Sequence, residues 1–209
     1  MLIEPSATDR EFARKVHRLF AAKPGSERIA TDFALAHLAA ILRQHRPRSV
    51  LEFGAGIGTI THLLLAHPAR PERVLSTEEN AFCLQQLENN ISPELRQGWT
   101  LIPKERLGEY QEPFDLIIID GHVMGIDLSA KMKPGTIIFA EGNRKPERAW
   151  MQELAARQGL AVDFTNHPRG RRWFFLQWTR HKKRLPWPRI RLFMKMKGCW
   201  VGRVSPKAG

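Results

Sequence analysis

Several kinds of chemistry are excluded by what the chain lacks. Only two cysteines occur in 209 residues, Cys83 and Cys199, far apart and outside any CxxC or Cys/His cluster. That excludes a disulfide framework and a thiolate zinc site, and two reduced thiols are expected. No apolar run approaches the roughly 20 residues that cross a bilayer, so no transmembrane segment is expected. The start, Met1-Leu2-Ile3-Glu4-Pro5-Ser6, lacks the basic and apolar stretches of a secretory signal. A cytoplasmic protein is the expectation. Acidic residues are missing from one region: none follows Asp163, whereas 13 of the 33 Lys and Arg residues do. The formal charge of +12 therefore belongs to the C-terminal part, and residues 1–163 sum to −1. Any electrostatic argument from composition concerns that C-terminal part.

What is present points to one α/β domain of ordinary hydrophobicity, with 43% apolar residues. Its organising stretch is Ser49-Val50-Leu51-Glu52-Phe53-Gly54-Ala55-Gly56-Ile57-Gly58-Thr59-Ile60-Thr61. An apolar, β-branched run meets glycines at alternate positions, and helical spacing resumes at Ile60, Leu63 and Leu64, which predicts strand, tight turn and helix. Glycines let a backbone turn sharply and approach a ligand, and a helix start offers free N–H groups. The dinucleotide fingerprint fails here, because its third glycine position holds Thr59. Glu52, two residues before the first glycine, would repel a pyrophosphate and suits a ligand with positive charge. The stretch Leu51 to Gly58 resembles the first motif of the class I S-adenosylmethionine (SAM)-dependent methyltransferases.

Further along, Arg73-Val74-Leu75-Ser76-Thr77 reads as a second strand ending at Glu78, about 20 residues beyond the glycine loop, where an acid can accept from both hydroxyls of a ribose. Glu78 and Glu79 also suit the first turn of the next helix. Trp99–Ile102 reads as a third strand, and Glu105 in the following loop is a candidate partner for an adenine amino group. Phe114 to Ile119 is an unbroken apolar run, as in a central parallel strand, and it delivers Asp120 and His122 to the carboxyl end, the ligand-binding edge of open α/β sheets. Thr136–Ala140 follows as the fifth strand, ending in Glu141-Gly142-Asn143-Arg144, and Pro146 opens a helix that Gly159 closes. Leu160–Phe164 and Arg172–Trp178, joined by a short turn, are expected to form an antiparallel pair. Upstream, Thr8–Ala22 predicts a helix with Phe12, Val16, Leu19 and Phe20 on one side, and a second helix follows Ser26.

The predicted fold is thus α/β, a Rossmann-like doubly wound, mostly parallel sheet with a terminal antiparallel pair, similar to the class I methyltransferase fold over residues 26–178. The resemblance implies that the last strand lies between the fifth and sixth. It also implies SAM as cofactor. By position, Glu52 and the loop Gly54, Ala55, Gly56 and Gly58 would hold its amino-acid end, Glu78 its ribose, and Asp120 would lie near the sulfonium. His122 is a candidate general base beside Asp120, since imidazole titrates near neutrality. Glu141 and Asn143 with Asp120 could offer oxygen ligands to magnesium. Related small-molecule O-methyltransferases have that acid and asparagine adjacent, whereas Gly142 separates them here, and Asn143 suits equally a cap on the helix opened by Pro146. Magnesium is therefore not favoured, and no metal ligands are assigned.

Three segments are expected: an N-terminal helix (1–25) as lid or flank, a SAM-binding domain (26–179) and a basic C-terminal extension (180–209). In the last, Arg189–Lys197 alternates basic and apolar residues as a strand would. The extension has three readings: a basic arm on RNA, a peripheral contact with an anionic membrane surface, or a solvated hairpin. The place after the fourth strand reads Asp120-Gly121-His122-Val123, unlike the Asp/Asn-Pro-Pro-aromatic signature of nucleobase amino methyltransferases. The expectation is O-methylation of a small-molecule or glycan-type acceptor. The alternatives are an RNA methyltransferase using the basic tail and a catalytically silent SAM-fold binding module.

Overall fold

Strand β1 (Ser49–Phe53) buries Val50, Leu51 and Phe53 on alternate faces, as a parallel strand covered on both sides must. A computed structural model describes residues 2–167 and 198–207 and sets β1 among β2 (Arg73–Thr77), β3 (Trp99–Ile102), β4 (Leu116–Ile119), β5 (Ile137–Glu141), β6 (Leu160–His167) and β7 (Cys199–Pro206). The strand order is β3-β2-β1-β4-β5-β7-β6; β1 to β5 are parallel, and β7 runs antiparallel to both β5 and β6. The expected fold class and the expected place of the last strand both hold.

The residues that fill that place differ from expectation. β7 is Cys199–Pro206, while Arg172–Trp178 and the alternating stretch Arg189–Lys197 lie outside the described residues. Cys199, Val201 and Val204 are fully or almost fully buried, so this end of the anticipated extension is part of the core. Its signal in the sequence is weak because Gly202 interrupts the apolar pattern. That glycine is required by packing: a Cβ there would stand 2.8 Å from Val162 and 2.9 Å from the Phe164 ring on β6.

Helices α1 (Ala7–Ala21), α2 (Asp32–His45), α3 (Thr59–Ala66) and α4 (Ala81–Asn90) cover one face, where Val50, Val74 and Ile118 meet Leu35, Leu38, Leu63 and Leu87. On the other face α5 (Lys145–Ala156) packs Met151 and Leu154 on Ile117 and Ile138. The crossings after β3 and β4 are mostly irregular, with single 3-10 segments at Lys104–Glu109 and Ser129–Lys131, because proline and glycine punctuate both. Helix α1 is a flank: Ala13, Val16 and Phe20 join the same core as α2 and α3. Leu19, expected on its apolar side, is exposed, and the buried stripe includes Asp9 instead. Asp9 completes a capping box with Ser6 and takes a two-pronged contact from Arg43, which makes its burial tolerable.

Glu52 shares the face of Val50 and pairs in register with Ser76 and Ile118, so its side chain runs inward beneath α3. It is fully buried, its Oε2 accepting from Ser76 Oγ at 2.6 Å and Thr61 Oγ1 at 2.7 Å, while Oε1 has no hydrogen-bond partner among the described residues. Burial pushes its pKa up to about 7, against the two hydroxyls that favour the anion. The unfolded chain releases this proton near pH 4.5, whereas the folded protein keeps it to about 7. The associated stability is present below the lower value and lost as pH rises through the upper one. Glu52→Gln keeps an acceptor for both hydroxyls, so denaturant titrations from pH 4 to 8 should show a decline about 3 kcal/mol larger in the wild type than in the variant, whose remaining slope belongs to other groups such as Asp120. A parallel decline in both would assign the pH dependence elsewhere. For β7, Val201→Ala should cost about 1–3 kcal/mol in the same titration, and removal of residues 198–209 should abolish the cooperative transition; a shortened chain that unfolds like the full one would show that β7 is dispensable.

Candidate active site

The loop after β1 is shaped by two glycines with different tasks. Gly54 has φ +81°, and a Cβ there would lie 2.7 Å from the backbone nitrogen of Gly121, so the ends of β1 and β4 can touch only without that side chain. Gly56, at φ +56°, faces open space, with nothing within 4 Å of where its Cβ would be. That open side belongs to a cavity of about 290 Å³ at the carboxyl edge of the sheet. The cavity is walled by the loop (Ala55, Gly56, Thr59), by Asn80, Phe82 and Cys83 at the start of α4, and by Asp120. Its fourth side is the segment between α1 and α2, with Gly25 and Arg28.

The amide of Gly54 is bonded to Thr77 O at 3.2 Å, that of Ala55 to the same oxygen at 3.0 Å, and that of Gly58 to Ala55 O at 2.9 Å. These residues therefore offer a ligand shape rather than donors. Donors remain at the start of α3, where Gly58 is the N-cap with no side-chain cap, and Thr59 Oγ1 is buried without a hydrogen-bond partner among the described residues. An unsatisfied buried hydroxyl beside an open glycine is a fit for a polar ligand. Glu52 is not on the wall. It is buried beneath the loop, where it ties β1 to β2 and α3.

Glu78 sits at the end of β2, half-buried; its Oε2 accepts from Gly56 N–H at 2.7 Å and its Oε1 from the amides of Glu79 and Asn80. It thus braces the glycine loop from the neighbouring strand, and Oε2, which accepts a single amide, keeps a second lone pair for a hydroxyl. The helix-start role divides among neighbours: Asn80 caps α4 through Cys83 N–H, and Glu79 pairs with Lys104 at 2.8 Å. Glu105 is exposed in the 3-10 segment after β3.

Asp120 reaches the cavity and His122 does not. The His122 side chain is 75% exposed and lies 3.6 Å from Glu147 of α5. Asp120 is held by a residue that sequence reasoning missed, Arg144, whose guanidinium lies 2.9 Å from Asp120 Oδ1 and also donates to the main-chain oxygens of Asp120, Gly121 and Glu141. Arg144 is the N-cap of α5 at φ +33°, left-handed backbone that a non-glycine residue adopts at a cost of about 1–2 kcal/mol. Asn143 is therefore not the helix cap; its carbonyl accepts from Arg148 instead. Desolvation raises the Asp120 pKa above the usual carboxylate range, and the Arg144 charge opposes that rise. Among the described residues no cluster of three or more His, Cys, Asp or Glu could hold a metal ion, and a cation beside Asp120 would have to displace the guanidinium. Both cysteines are free thiols, each raised in pKa by burial, and Cys83 borders the cavity.

No family model and no curated protein matches the chain. Solved structures do. One is a candidate O-methyltransferase from Klebsiella pneumoniae, with TM-score 0.58 and 18% identity over 98% of this chain and 92% of that one. Another is the O-methyltransferase TomG from Streptomyces achromogenes, involved in tomaymycin synthesis and solved with SAM, with TM-score 0.58 and 14% identity over 98% and 92%. A third is a candidate RNA methyltransferase from Pyrococcus horikoshii, with TM-score 0.53 and 14% identity over 98% of each chain. Strand order, antiparallel close and these structures agree: the chain has the fold of the class I SAM-dependent methyltransferases.

Proposed function

We propose that this protein transfers a methyl group from SAM to an oxygen of a small-molecule or glycan-type acceptor. The observation that carries the reading is the meeting, on one cavity at the carboxyl edge, of the open glycine loop and the Arg144-braced carboxylate of Asp120. In this reading the amino-acid end of SAM lies against Gly56 and the start of α3, with Thr59 Oγ1 as a donor or acceptor, and Glu78 takes the ribose hydroxyls. Bound SAM supplies an activated methyl on sulfur, so the chain must align the acceptor and remove its hydroxyl proton. Asp120 is the proton acceptor, because its raised pKa brings it toward the range where a base works near neutral pH. Arg144 holds that carboxylate in place and sets a positive charge beside the oxygen that becomes negative. His122, exposed and off the cavity wall, has no part in this step.

A second reading, methylation of RNA, draws on one further fact. Residues 168–197 contain 11 basic and no acidic residues, and the flanking residues His167 and Gly198 lie at the carboxyl edge, with Gly198 O accepting from Gly142 N–H at 3.1 Å. RNA as acceptor would make transfer fall steeply with salt, whereas a neutral small acceptor would leave it nearly constant.

The first experiment is calorimetric titration of SAM into the wild type and Glu78→Gln. The variant should lose about 1.5–3 kcal/mol, tenfold or more in affinity; unchanged affinity would remove Glu78 from the ribose, and no binding by wild type would end the SAM reading. Transfer from methyl-labelled SAM to a panel of hydroxyl acceptors and to total tRNA then tests the chemistry. Asp120→Asn should cut transfer by roughly 10²–10⁴, while Arg144→Gln should lower it and move the acid limb of the pH profile upward, because the charge that lowers the Asp120 pKa is gone. An acid limb that does not move would deny Arg144 its action through Asp120. SAM binding with no transfer to any acceptor would favour a silent binding module.

A further inference from the structure

A second cavity, of about 530 Å³, lies at the opposite, amino edge of the sheet. It is bounded by the start of α1, the end of α2, the end of α3 and the residues that lead into β1 and β2. Four arginines line it, Arg43, Arg46, Arg48 and Arg70, although residues 1–163 as a whole are almost neutral. Two are already matched: Arg43 grips Asp9, and Arg48 grips Glu72 through two bonds of 2.8 Å. The other two leave a positive excess. Among the described residues Arg70 bonds only the main-chain oxygen of Gln97, and the Arg46 side chain has no partner. Arg46 is set there by the backbone, since as the C-cap of α2 it adopts φ +45° and ψ +54°. The cavity also has an apolar side, where the rings of Phe12 and His67 meet edge to face at 5.3 Å and Pro47 and Pro68 line the wall. His67 Nδ1 accepts from Ala69 N–H at 3.0 Å, and burial lowers its pKa, so the imidazole adds to the wall and not to the charge.

Two matched guanidiniums, two unmatched ones and an aromatic side form a set suited to an anion carrying a planar group. The volume lies within the range of small-molecule sites. We propose that this cavity is a second binding site, separate from the glycine-loop cavity, for a small organic phosphate of mononucleotide size. The phosphate lies between Arg46 and Arg70, and the planar part lies against the Phe12 ring, which His67 backs edge-on. The site is independent of the methyltransferase reading, because it shares no residue with the carboxyl-edge cavity.

The test is calorimetric titration of uridine monophosphate and, separately, inorganic pyrophosphate into the full chain and into Arg46→Asn/Arg70→Gln. Asparagine tolerates left-handed backbone and neither arginine holds an acid, so the variant should keep the wild-type unfolding midpoint. The expected result is binding of both probes by wild type and at least tenfold weaker binding by the variant, with SAM titrations superimposable. Failure of uridine monophosphate to bind wild type at millimolar concentration would overturn the proposal. So would equal binding by the variant, which would send the anion to the basic residues after Asp163. Pyrophosphate binding without uridine monophosphate would equally reject the planar ligand. Loss of SAM binding alone would bear on the other cavity only.

Discussion

The contact on which the site depends is between two backbones. Gly54 at the end of β1 and Gly121 at the end of β4 approach so closely that a Cβ on either would meet main-chain atoms of the other loop at 2.7–3.2 Å. This contact brings the glycine loop and Asp120 to one cavity, and Arg144, bonded to the carbonyls of Asp120 and Gly121, closes the same junction from β5. Substituting alanine at Gly54 would combine left-handed strain with a clash against backbone that cannot yield. The ligand edge is therefore organised by main-chain packing first and by side-chain chemistry second.

Acidic groups around this edge are handled in three ways, each with a different consequence. Glu52 is buried with two hydroxyls for company and resists ionisation. Asp120 is opposed by a guanidinium, which keeps a desolvated carboxylate available as an anion. Glu78 is bound by three backbone amides, which fix its direction. Burial, a paired charge and amide bonds are the three means by which a fold sets the state of a carboxylate. Together they let three acids converge on one loop without mutual repulsion dominating.

The rest of the charge is segregated. At the amino edge, arginines and acids of the nearly neutral part of the chain form pairs with two cations left over, whereas the residues after Asp163 carry positive charge with no acid among them. The net positive charge is therefore contributed by unmatched arginines at the amino edge and by the sequence after Asp163, and the attraction of such charge for anions weakens with salt.

Local pattern by itself determined the strands β1 to β5, the helices that cross between them and the glycine turn, because each rests on neighbours a few positions apart: an apolar run, a glycine, a helix stop. It also determined that Asp120 ends a central strand and that Glu78 stands at the end of β2. Tertiary structure alone decided that Cys199–Pro206 takes the place between β5 and β6, because its pairing with both is long-range and Gly202 leaves room for Val162 and Phe164 there. It decided that Glu52 is buried and His122 exposed, because a strand's period of two says which side a residue takes but not which side holds the ligand. And it decided the partner of Asp120: Arg144 lies 24 positions away, and only the packing of β4 against β5 brings the guanidinium to that carboxylate.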